Sequence, residues 1–367
     1  MFSIAAQYYK PIFYGIIILF CMYESLRPAP TLLHKYKRSF PENAIIIIIS
    51  IFFILFLGQR PYSGYYFVDT ANYVEVYNNL GRIQYETKKG DVLFNWLFRW
   101  FYEQNYSISS FFTFVEFIYI TCTTYACFKL FPNRRLAAFT FILACFSYYS
   151  FAVNGIRNGM ATSLFLLALV WIKERRYLLT ATVSIIAIGI HNSLYLPVGA
   201  LIITYFVPNT KLYIHIWLIC ILLSLYIGGT MEFIFQNIGF LETGRSFKYL
   251  TESNLGDYWE RRGYRWDFLL YSAVPIYVGY FFCIKKRFRD TFYTLVLNIY
   301  IICNSFWVLV IRAPYTNRFA YLSWFLYGFV VMYPLLTAPN VRHRKLYISF
   351  ALLGNISFTL LLWGLGR

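Results

Sequence analysis

The chain has 367 residues, of which 59% are hydrophobic, 22% are aromatic and 13% are charged. A water-soluble protein of this composition would expose large apolar areas, so the composition is typical of a polytopic membrane protein. Apolar runs long enough to cross a hydrocarbon core of roughly 30 Å recur along the whole length, which excludes a soluble domain with a single anchor. A cytoplasmic excess of Lys and Arg explains the net charge of +17 in a membrane protein, so we infer no nucleic-acid partner.

The apolar runs predict an all-α polytopic membrane protein with about 12 transmembrane helices, within a range of about 10 to 14. No fixed-period repeat or low-complexity linker interrupts them, so we predict a single integral membrane domain over residues 1–367. The predicted spans are residues 8–26, 43–58, 107–131, 136–153, 157–172, 177–190, 193–207, 212–229, 267–284, 291–311, 319–337 and 347–364.

Alternate connections between these spans are strongly basic, and the positive-inside rule assigns them to the cytoplasm. Both termini then face outward. The other side carries two long extracytoplasmic loops, residues 59–106 and 230–266, where binding chemistry has room. The basic residues of the predicted cytoplasmic turns are Arg27, Lys35, Lys37, Arg38, Arg134, Arg135, Lys173, Arg175, Arg176, Lys285, Lys286, Arg287, Arg289, Arg342, Arg344 and Lys345.

The first long loop contains an amphipathic stretch, "KKGDVLFNWLFRWFYEQ", from Lys88 to Gln104. It is too short to cross a bilayer, so we predict a short interfacial or re-entrant half-helix. Aromatic residues are frequent in both long loops, as expected for segments at the level of the lipid headgroups.

Arg157 begins the fifth predicted span, on the predicted outer side. The start of a helix presents unpaired backbone N–H groups and a partial positive charge, which together attract an anion. Asn154 and Asn158 can supply further donors, and Gly155 and Gly159 allow a backbone or a phosphate to come close. The alternative is an arginine that only marks the membrane interface by snorkelling.

Further arginines lie in the predicted outer segments, against the positive-inside bias. The planar guanidinium suits bidentate contacts with phosphate, so the group predicts a site for a phosphate or diphosphate just outside the bilayer. Neutralisation by neighbouring Asp and Glu is the alternative for the run 258–267. These outer arginines are Arg60, Arg82, Arg99, Arg245, Arg261, Arg262, Arg265, Arg312 and Arg318.

Two outer acids, Asp69 and Asp267, are the best placed candidates for a general base, because both adjoin aromatic residues that can stack on a sugar ring. The candidate glycan-binding aromatic residues are Tyr73, Tyr258, Tyr264, Trp266 and Tyr315.

His191 closes the sixth predicted span and shares the outer side with Arg157. It is a candidate catalytic residue, although a histidine at a helix end often serves as a cap or a hydrogen-bonding group. Glu116 lies inside the third predicted span. An acid at that depth indicates either a functional site or a pairing with a nearby Thr or Tyr.

Several of these segments occur in a characteristic order along the chain. They are "VDTANYVEVYNNL", "GDVLFNWLFRWF", "SFAVNGIRNGMATSLFLLAL", a basic turn, "IAIGIHNSLYLP" and "TNRFAYLSWFL". In this order the chain resembles the EpsG-like branch of the Wzy-type bacterial polysaccharide polymerases, over roughly residues 59 to 337.

The resemblance implies a glycosyltransferase at the outer face of the bacterial cytoplasmic membrane that acts on sugars carried by undecaprenyl diphosphate. It implies diphosphate-binding roles for the loop arginines, and it makes His191 the counterpart of the family's histidine. The arginines that match are Arg157, Arg261, Arg262, Arg265, Arg312 and Arg318.

The sequence therefore leads to the hypothesis of an inverting, metal-independent polymerase of lipid-linked oligosaccharides. There is no DxD motif for a metal-bound nucleotide sugar, and we predict no cofactor. Expected partners are the lipid bilayer, a flippase and a chain-length regulator. The alternatives are an O-antigen-type ligase, another GT-C-like glycosyltransferase, a lipid-linked glycan flippase or transporter, and a structural subunit of an envelope assembly.

Overall fold

The computed structural model describes residues 4–27, 39–81, 90–237, 263–313, 316–339 and 341–365. All regular secondary structure in these ranges is helical, as predicted. In chain order the helices are α1 (Tyr9–Leu26), α2 (Ser39–Gly58), α3 (Val68–Asn79), α4 (Val92–Glu103), α5 (Ile108–Leu130), α6 (Arg135–Leu143), α7 (Phe146–Val153), α8 (Ile156–Lys173), α9 (Tyr177–Ile190), α10 (Tyr195–Phe206), α11 (Thr210–Asn237), α12 (Trp266–Gly279), α13 (Thr291–Leu309), α14 (Thr316–Trp324), α15 (Tyr327–Thr337) and α16 (Arg344–Gly364).

Every predicted span coincides with a helix or a helix pair, and the polytopic all-α class is confirmed. By length and composition, eight helical stretches of the described ranges can cross a membrane, or nine if the pair α6 and α7 counts as one span bent by 67°. This number is below the predicted count of about twelve. The eight stretches are Pro41–Gly58, Ile108–Leu130, Ile156–Lys173, Thr210–Gly228, Trp266–Lys285, Thr291–Leu309, Thr316–Thr337 and Arg344–Gly364.

Three predicted spans form helices that fall short of these criteria. Helix α1 carries Lys10 and Glu24 within its 18 residues. Helices α9 and α10 have 14 and 12 residues, so at a rise of about 1.5 Å per residue they extend only about 21 and 18 Å. The predicted spans at these positions, residues 177–190 and 193–207, are similarly short, because His191 and Asn192 interrupt the apolar sequence.

The chain folds as two compact units. The first consists of Met1–Glu86, Val92–His191 and Met332–Arg367, and the second of Thr87–Asp91 and Asn192–Val331. The single integral domain predicted over residues 1–367 stays a prediction.

The first unit collects basic residues of the predicted cytoplasmic turns at one end. Lys129 lies 3.1 Å from Glu174 across the ends of α5 and α8, and Arg135 donates to Asn43 Oδ1 at the start of α2, at 3.0 Å. Lys173 follows Arg157 by sixteen positions along helix α8, which is a rise of about 24 Å. Arg157 therefore lies at the end of this unit opposite the basic turns.

Helix α4 confirms the predicted half-helix within residues 88–104. Its Phe94 and Phe98 are buried, whereas Trp96 is 62% exposed on the opposite face. The helix packs on the last turn of α9, where a Cβ atom on Gly189 would lie only 2.6 Å from Leu93 Cδ1. Helix α4 therefore lies beside the short α9, next to the turn at His191.

Candidate functional site

The corner between α7 and α8 positions Arg157. Helix α7 ends at Val153, and Gly155 is the N-cap of α8 without any side-chain cap. The first backbone bond of the new helix runs from the Gly159 N–H to the Gly155 carbonyl, at 2.8 Å. The N–H groups of residues 156–158 precede this bond and have no acceptor within the helix, so the corner has the positive character predicted for it.

The corner is tight because Gly159 allows two helices to touch. A Cβ atom on Gly159 would lie 2.8 Å from the Phe151 carbonyl oxygen in α7, which is closer than side-chain carbons approach backbone oxygens. At Gly155 the nearest atom to an added Cβ would be 3.5 Å away, an ordinary contact. The predicted close backbone approach is therefore found at Gly159 and not at Gly155.

Replacing Gly159 by Ala is expected to lower the free energy of unfolding by about 1–3 kcal/mol, because the added methyl group has to push α7 and α8 apart. The measurement is the thermal unfolding of the purified protein in detergent. Gly354→Ala in α16 is the matched control, since no atom lies within 4 Å of its added methyl group. Equal unfolding temperatures for both variants would contradict the close contact at the corner.

The Arg157 side chain is half-buried and lies against two neighbouring aromatic rings. Its Nε donates to the Tyr73 hydroxyl of α3 at 2.8 Å. The guanidinium carbon is 5.3 Å from the centroid of the Tyr73 ring and 4.7 Å from that of Phe94 in α4. Such cation–π contacts hold the plane of the guanidinium group, whose two Nη atoms carry its other four N–H donors.

Asn154 and Asn158 flank Arg157 and each has a buried Oδ1 atom that accepts no hydrogen bond within the described part of the chain. Asn158 is only 9% exposed. A buried amide oxygen without a partner is costly, so each of these atoms has the capacity to accept a hydrogen bond from a hydroxyl group or a water molecule. The amide group can present either its oxygen or its NH₂, because the two orientations fill the same space.

Asp69 lies on the same side of α3 as Tyr73, one helical turn earlier. It is the second residue of the helix and is 8% exposed. A carboxylate at this position is stabilised by the helix dipole, which supplies a structural reason for an acid there. Tyr73 itself is 6% exposed, so most of the ring that was predicted to stack on a sugar is covered by protein.

His191 follows the last residue of α9 and is half-buried. Helix α4 links it to the Arg157 corner, since Leu93 packs on Gly189 and the adjacent Phe94 packs on Arg157. The structure thus brings Asp69, Tyr73, Asn154, Arg157, Asn158 and His191 to the same end of the first unit.

Sequence reasoning missed the role of Arg60, which it counted only among the outer arginines. Arg60 has no exposed surface and forms an ion pair with Glu116, Nη1 to Oε1 at 3.2 Å. The partner of Glu116 is thus an arginine rather than the Thr or Tyr that the sequence suggested. A lone acid inside an apolar helix was the signal that a buried cation had to exist nearby.

In the second unit, Arg265 and Asp267 form a bidentate pair. The Nε and Nη2 atoms of Arg265 donate to the two carboxylate oxygens of Asp267, each at 3.0 Å. The Arg265 guanidinium also lies over the Phe268 ring at 3.5 Å from its centroid. Asp267, a predicted general base, and Arg265, predicted to bind diphosphate, are therefore hydrogen-bonded to each other. This agrees with the alternative given for the run 258–267, in which neighbouring carboxylates neutralise the arginines.

Arg312 and Tyr264 form a separate contact in the second unit. The exposed Arg312 guanidinium lies 5.5 Å from the Tyr264 ring centroid, and its Nη2 donates to the Leu225 carbonyl at 3.2 Å. The Tyr264 hydroxyl bonds with Ser224 Oγ at 3.0 Å. Burial raises the pKa of the Tyr264 hydroxyl above its usual value.

Tyr264 and Trp266 are neighbouring aromatic groups in the second unit, with ring centroids 4.4 Å apart. Trp266 is 54% exposed, so one of the predicted glycan-binding rings is accessible. Arg318 is half-buried in the first turn of α14. The remaining predicted site residues, Tyr258, Arg261, Arg262 and Tyr315, lie outside the described residues.

Comparison with protein families gives one match over most of the chain. The sequence model of the EpsG family matches residues 43–365. This range contains the Arg157 corner and the aromatic and arginine residues of the second unit, and it is wider than the range of the predicted resemblance. No curated protein and no solved structure matches the chain significantly.

Proposed function

Because the chain belongs to the EpsG family, we propose that it polymerises undecaprenyl-diphosphate-linked oligosaccharide repeat units into cell-surface polysaccharide. The family and the eight or nine helical stretches of the described ranges that can cross a membrane indicate a multi-pass membrane protein of the polysaccharide polymerase type. Our proposal adds the substrate, the reaction and the location, which is the extracytoplasmic face of the bacterial cytoplasmic membrane.

The observation that carries the proposal is the environment of Arg157. A guanidinium held by Tyr73 and Phe94 stands at the positive start of a helix, between two asparagines whose amide NH₂ groups can supply further donors. Planar N–H donors next to helix N–H groups suit the oxygens of a phosphate ester. A lipid diphosphate at the membrane surface is the ligand with this chemistry that a polysaccharide polymerase uses.

The proposed reaction is a displacement at the anomeric carbon of the growing chain. A hydroxyl of the incoming repeat unit forms a bond to this carbon, and the bond to the diphosphate oxygen breaks on the opposite side, so the configuration is inverted. The proton of the hydroxyl passes to a base, and undecaprenyl diphosphate leaves with the negative charge. Arg157 stabilises that charge as it develops, which lowers the barrier without a metal ion.

For the base we favour Asp69 over Asp267. Asp69 lies on the face of α3 that also carries Tyr73, the partner of Arg157. Asp267 lies in the second unit and accepts two hydrogen bonds from Arg265. His191 is the second candidate at the same end of the unit, as a donor or acceptor to the sugar.

The other predicted site residues have supporting roles in this proposal. The Tyr73 ring is covered by protein, so we assign Tyr73 the role of orienting Arg157 and not that of binding a sugar. In the second unit, the exposed Trp266 beside Tyr264 offers an aromatic surface for a sugar ring. Within the second unit, a phosphate-binding role for Arg312 and Arg318 stays a prediction. A flippase that delivers the repeat unit and a chain-length regulator are the proposed protein partners.

The test of the reaction uses purified protein in proteoliposomes with lipid-linked repeat units. We expect a ladder of products whose successive members differ by one repeat unit. Only a polymerase uses the same lipid-linked repeat unit as both donor and acceptor. Transfer of a finished chain to a different acceptor lipid, without a ladder, would instead indicate a ligase. Movement of the lipid-linked sugar across the bilayer without any elongation would indicate a flippase.

A further inference from the structure

Arg60 is an arginine without exposed surface that follows the end of α2. Its guanidinium lies 4.7 Å from the centroid of the Phe112 ring in α5. Its N–H groups donate to four separate parts of the chain: the Leu57 carbonyl at 2.6 Å, Thr70 Oγ1 at 3.0 Å, Glu116 Oε1 at 3.2 Å and the Val153 carbonyl at 3.5 Å.

Neutralisation of Glu116 alone does not explain this arrangement. A lysine would also neutralise Glu116, but its ammonium group cannot reach a hydroxyl and two carbonyls on different helices at once. The guanidinium fork does so, and each of its three nitrogens has an acceptor. Arg60 therefore ties α2, α3, α5 and α7 together at the end of the unit that carries Arg157.

The Val153 carbonyl is the most informative of these acceptors. Val153 is the last residue of α7, so its oxygen has no N–H partner within the helix. It accepts instead from Thr70 Oγ1 at 3.0 Å and from Arg60 Nη2 at 3.5 Å. Arg157 follows only four residues later, across the turn.

Helix α3 contacts this turn on both sides. Thr70 and Tyr73 are three residues apart and share one face of the helix. Thr70 bonds to the Val153 carbonyl before the turn, and Tyr73 accepts from Arg157 Nε after it, at 2.8 Å. The orientation of Arg157 therefore depends on α3, and the position of α3 depends on Arg60.

From this arrangement we infer that Arg60 is a positioning residue for Arg157. It fixes the Thr70 hydroxyl and the Val153 carbonyl, so that the turn presents the Arg157 guanidinium to the lipid diphosphate in one orientation. The inference rests on the proposed function of the Arg157 site. A displacement of about 1 Å at a group that stabilises a transition state costs roughly a hundredfold in rate, so remote support of this kind has a measurable effect.

Arg60→Lys is the first test, because it keeps a positive charge opposite Glu116 and removes the fork. We expect kcat for polymerisation to fall by at least about tenfold, with little change in KM for the lipid-linked repeat unit, since the loss falls on the transition state. Arg135→Lys is the matched control. Arg135 also donates to a backbone carbonyl, of Phe131, and to the side chain of Asn43, but at the opposite end of the unit; its variant should polymerise at the wild-type rate.

The decisive readout is the coupling between the two arginines. If Arg60 acts through Arg157, the double variant R60K/R157K polymerises at about the rate of R157K alone. If the two losses multiply, or if R60K has the wild-type rate, the positioning role is wrong. Wild-type polymerisation by R157K and by Arg157→Ala would instead remove the proposed function of the site itself, which keeps the two failures distinct.

Two further variants test the positioning role of Arg60 if R60K does not fold. Thr70→Val keeps the shape of the side chain and removes the hydroxyl that joins Arg60 to Val153. R60M/E116M removes both buried charges together, which avoids an unpaired one. Either variant, folded but with an unchanged kcat, would overturn the inference, whereas a reduced kcat that is not additive with R157K would support it.

Discussion

Replacing Arg157 by Ala is expected to reduce the rate of polymer formation on the order of a hundredfold, at unchanged expression and membrane insertion. In the proposed reaction, the substitution removes preorganised N–H donors aimed at the charge that develops on the leaving diphosphate. It also leaves the Tyr73 hydroxyl without its donor. The measurement is the initial rate of ladder formation from purified lipid-linked repeat units.

Arg157→Lys separates charge from geometry. An ammonium group keeps the charge but loses the planar fork, so we expect a rate between those of the wild type and the alanine variant. Arg99→Ala, an exposed arginine on α4, is the control for loss of a positive charge at the same end of the unit. Normal polymer from both Arg157 variants would remove Arg157 from the mechanism.

The second large effect concerns the buried ion pair of Arg60 and Glu116. Both side chains are at most 1% exposed, so replacing Glu116 alone by Met leaves an unpaired buried charge. We expect the free energy of unfolding to fall by about 3–5 kcal/mol. The free energy of unfolding of the double variant R60M/E116M should fall much less, because two apolar side chains replace the ion pair.

Unfolding in detergent, followed by temperature or denaturant, measures these changes. Glu174→Gln serves as the control, since the pair of Glu174 with Lys129 is partly exposed and is expected to contribute less than about 1 kcal/mol. If Glu116→Met lowered the free energy of unfolding no more than Glu174→Gln does, the Arg60–Glu116 pair could not be a buried structural contact.

Much of the helical architecture was predictable, because the length of each apolar run in the sequence determines where a membrane-spanning helix can form. The half-helix within residues 88–104 was also predictable, since its buried phenylalanines and exposed tryptophans alternate with a helical period. The shortness of α9 and α10 was predictable as well, because His191 and Asn192 interrupt the apolar run and limit the predicted spans to residues 177–190 and 193–207.

The Arg157 corner was predictable as a candidate site from one local pattern, the arginine between two asparagines and two glycines. Its support was not predictable, because it comes from contacts between distant parts of the chain. Arg60 reaches across 56 residues to Glu116 and across 93 residues to Val153. Only the folded chain shows that Phe94 and Tyr73 hold the guanidinium.

Arg265 illustrates the opposite outcome of the same reasoning. The count of outer arginines treated it as equivalent to Arg157, but the acid two residues later turns back and occupies its donors. A charge count along a loop therefore overestimates its capacity for phosphate, because neighbouring carboxylates compete for the same N–H groups.

The most direct test is a cryo-EM structure of the protein with a lipid-linked diphosphate sugar bound. The account predicts diphosphate density within hydrogen-bonding distance of the Arg157 guanidinium, with Asn154 or Asn158 beside it, on the side of the membrane opposite the basic turns. Diphosphate bound elsewhere, with the Asn154–Arg157 turn empty or facing the cytosol, would contradict it.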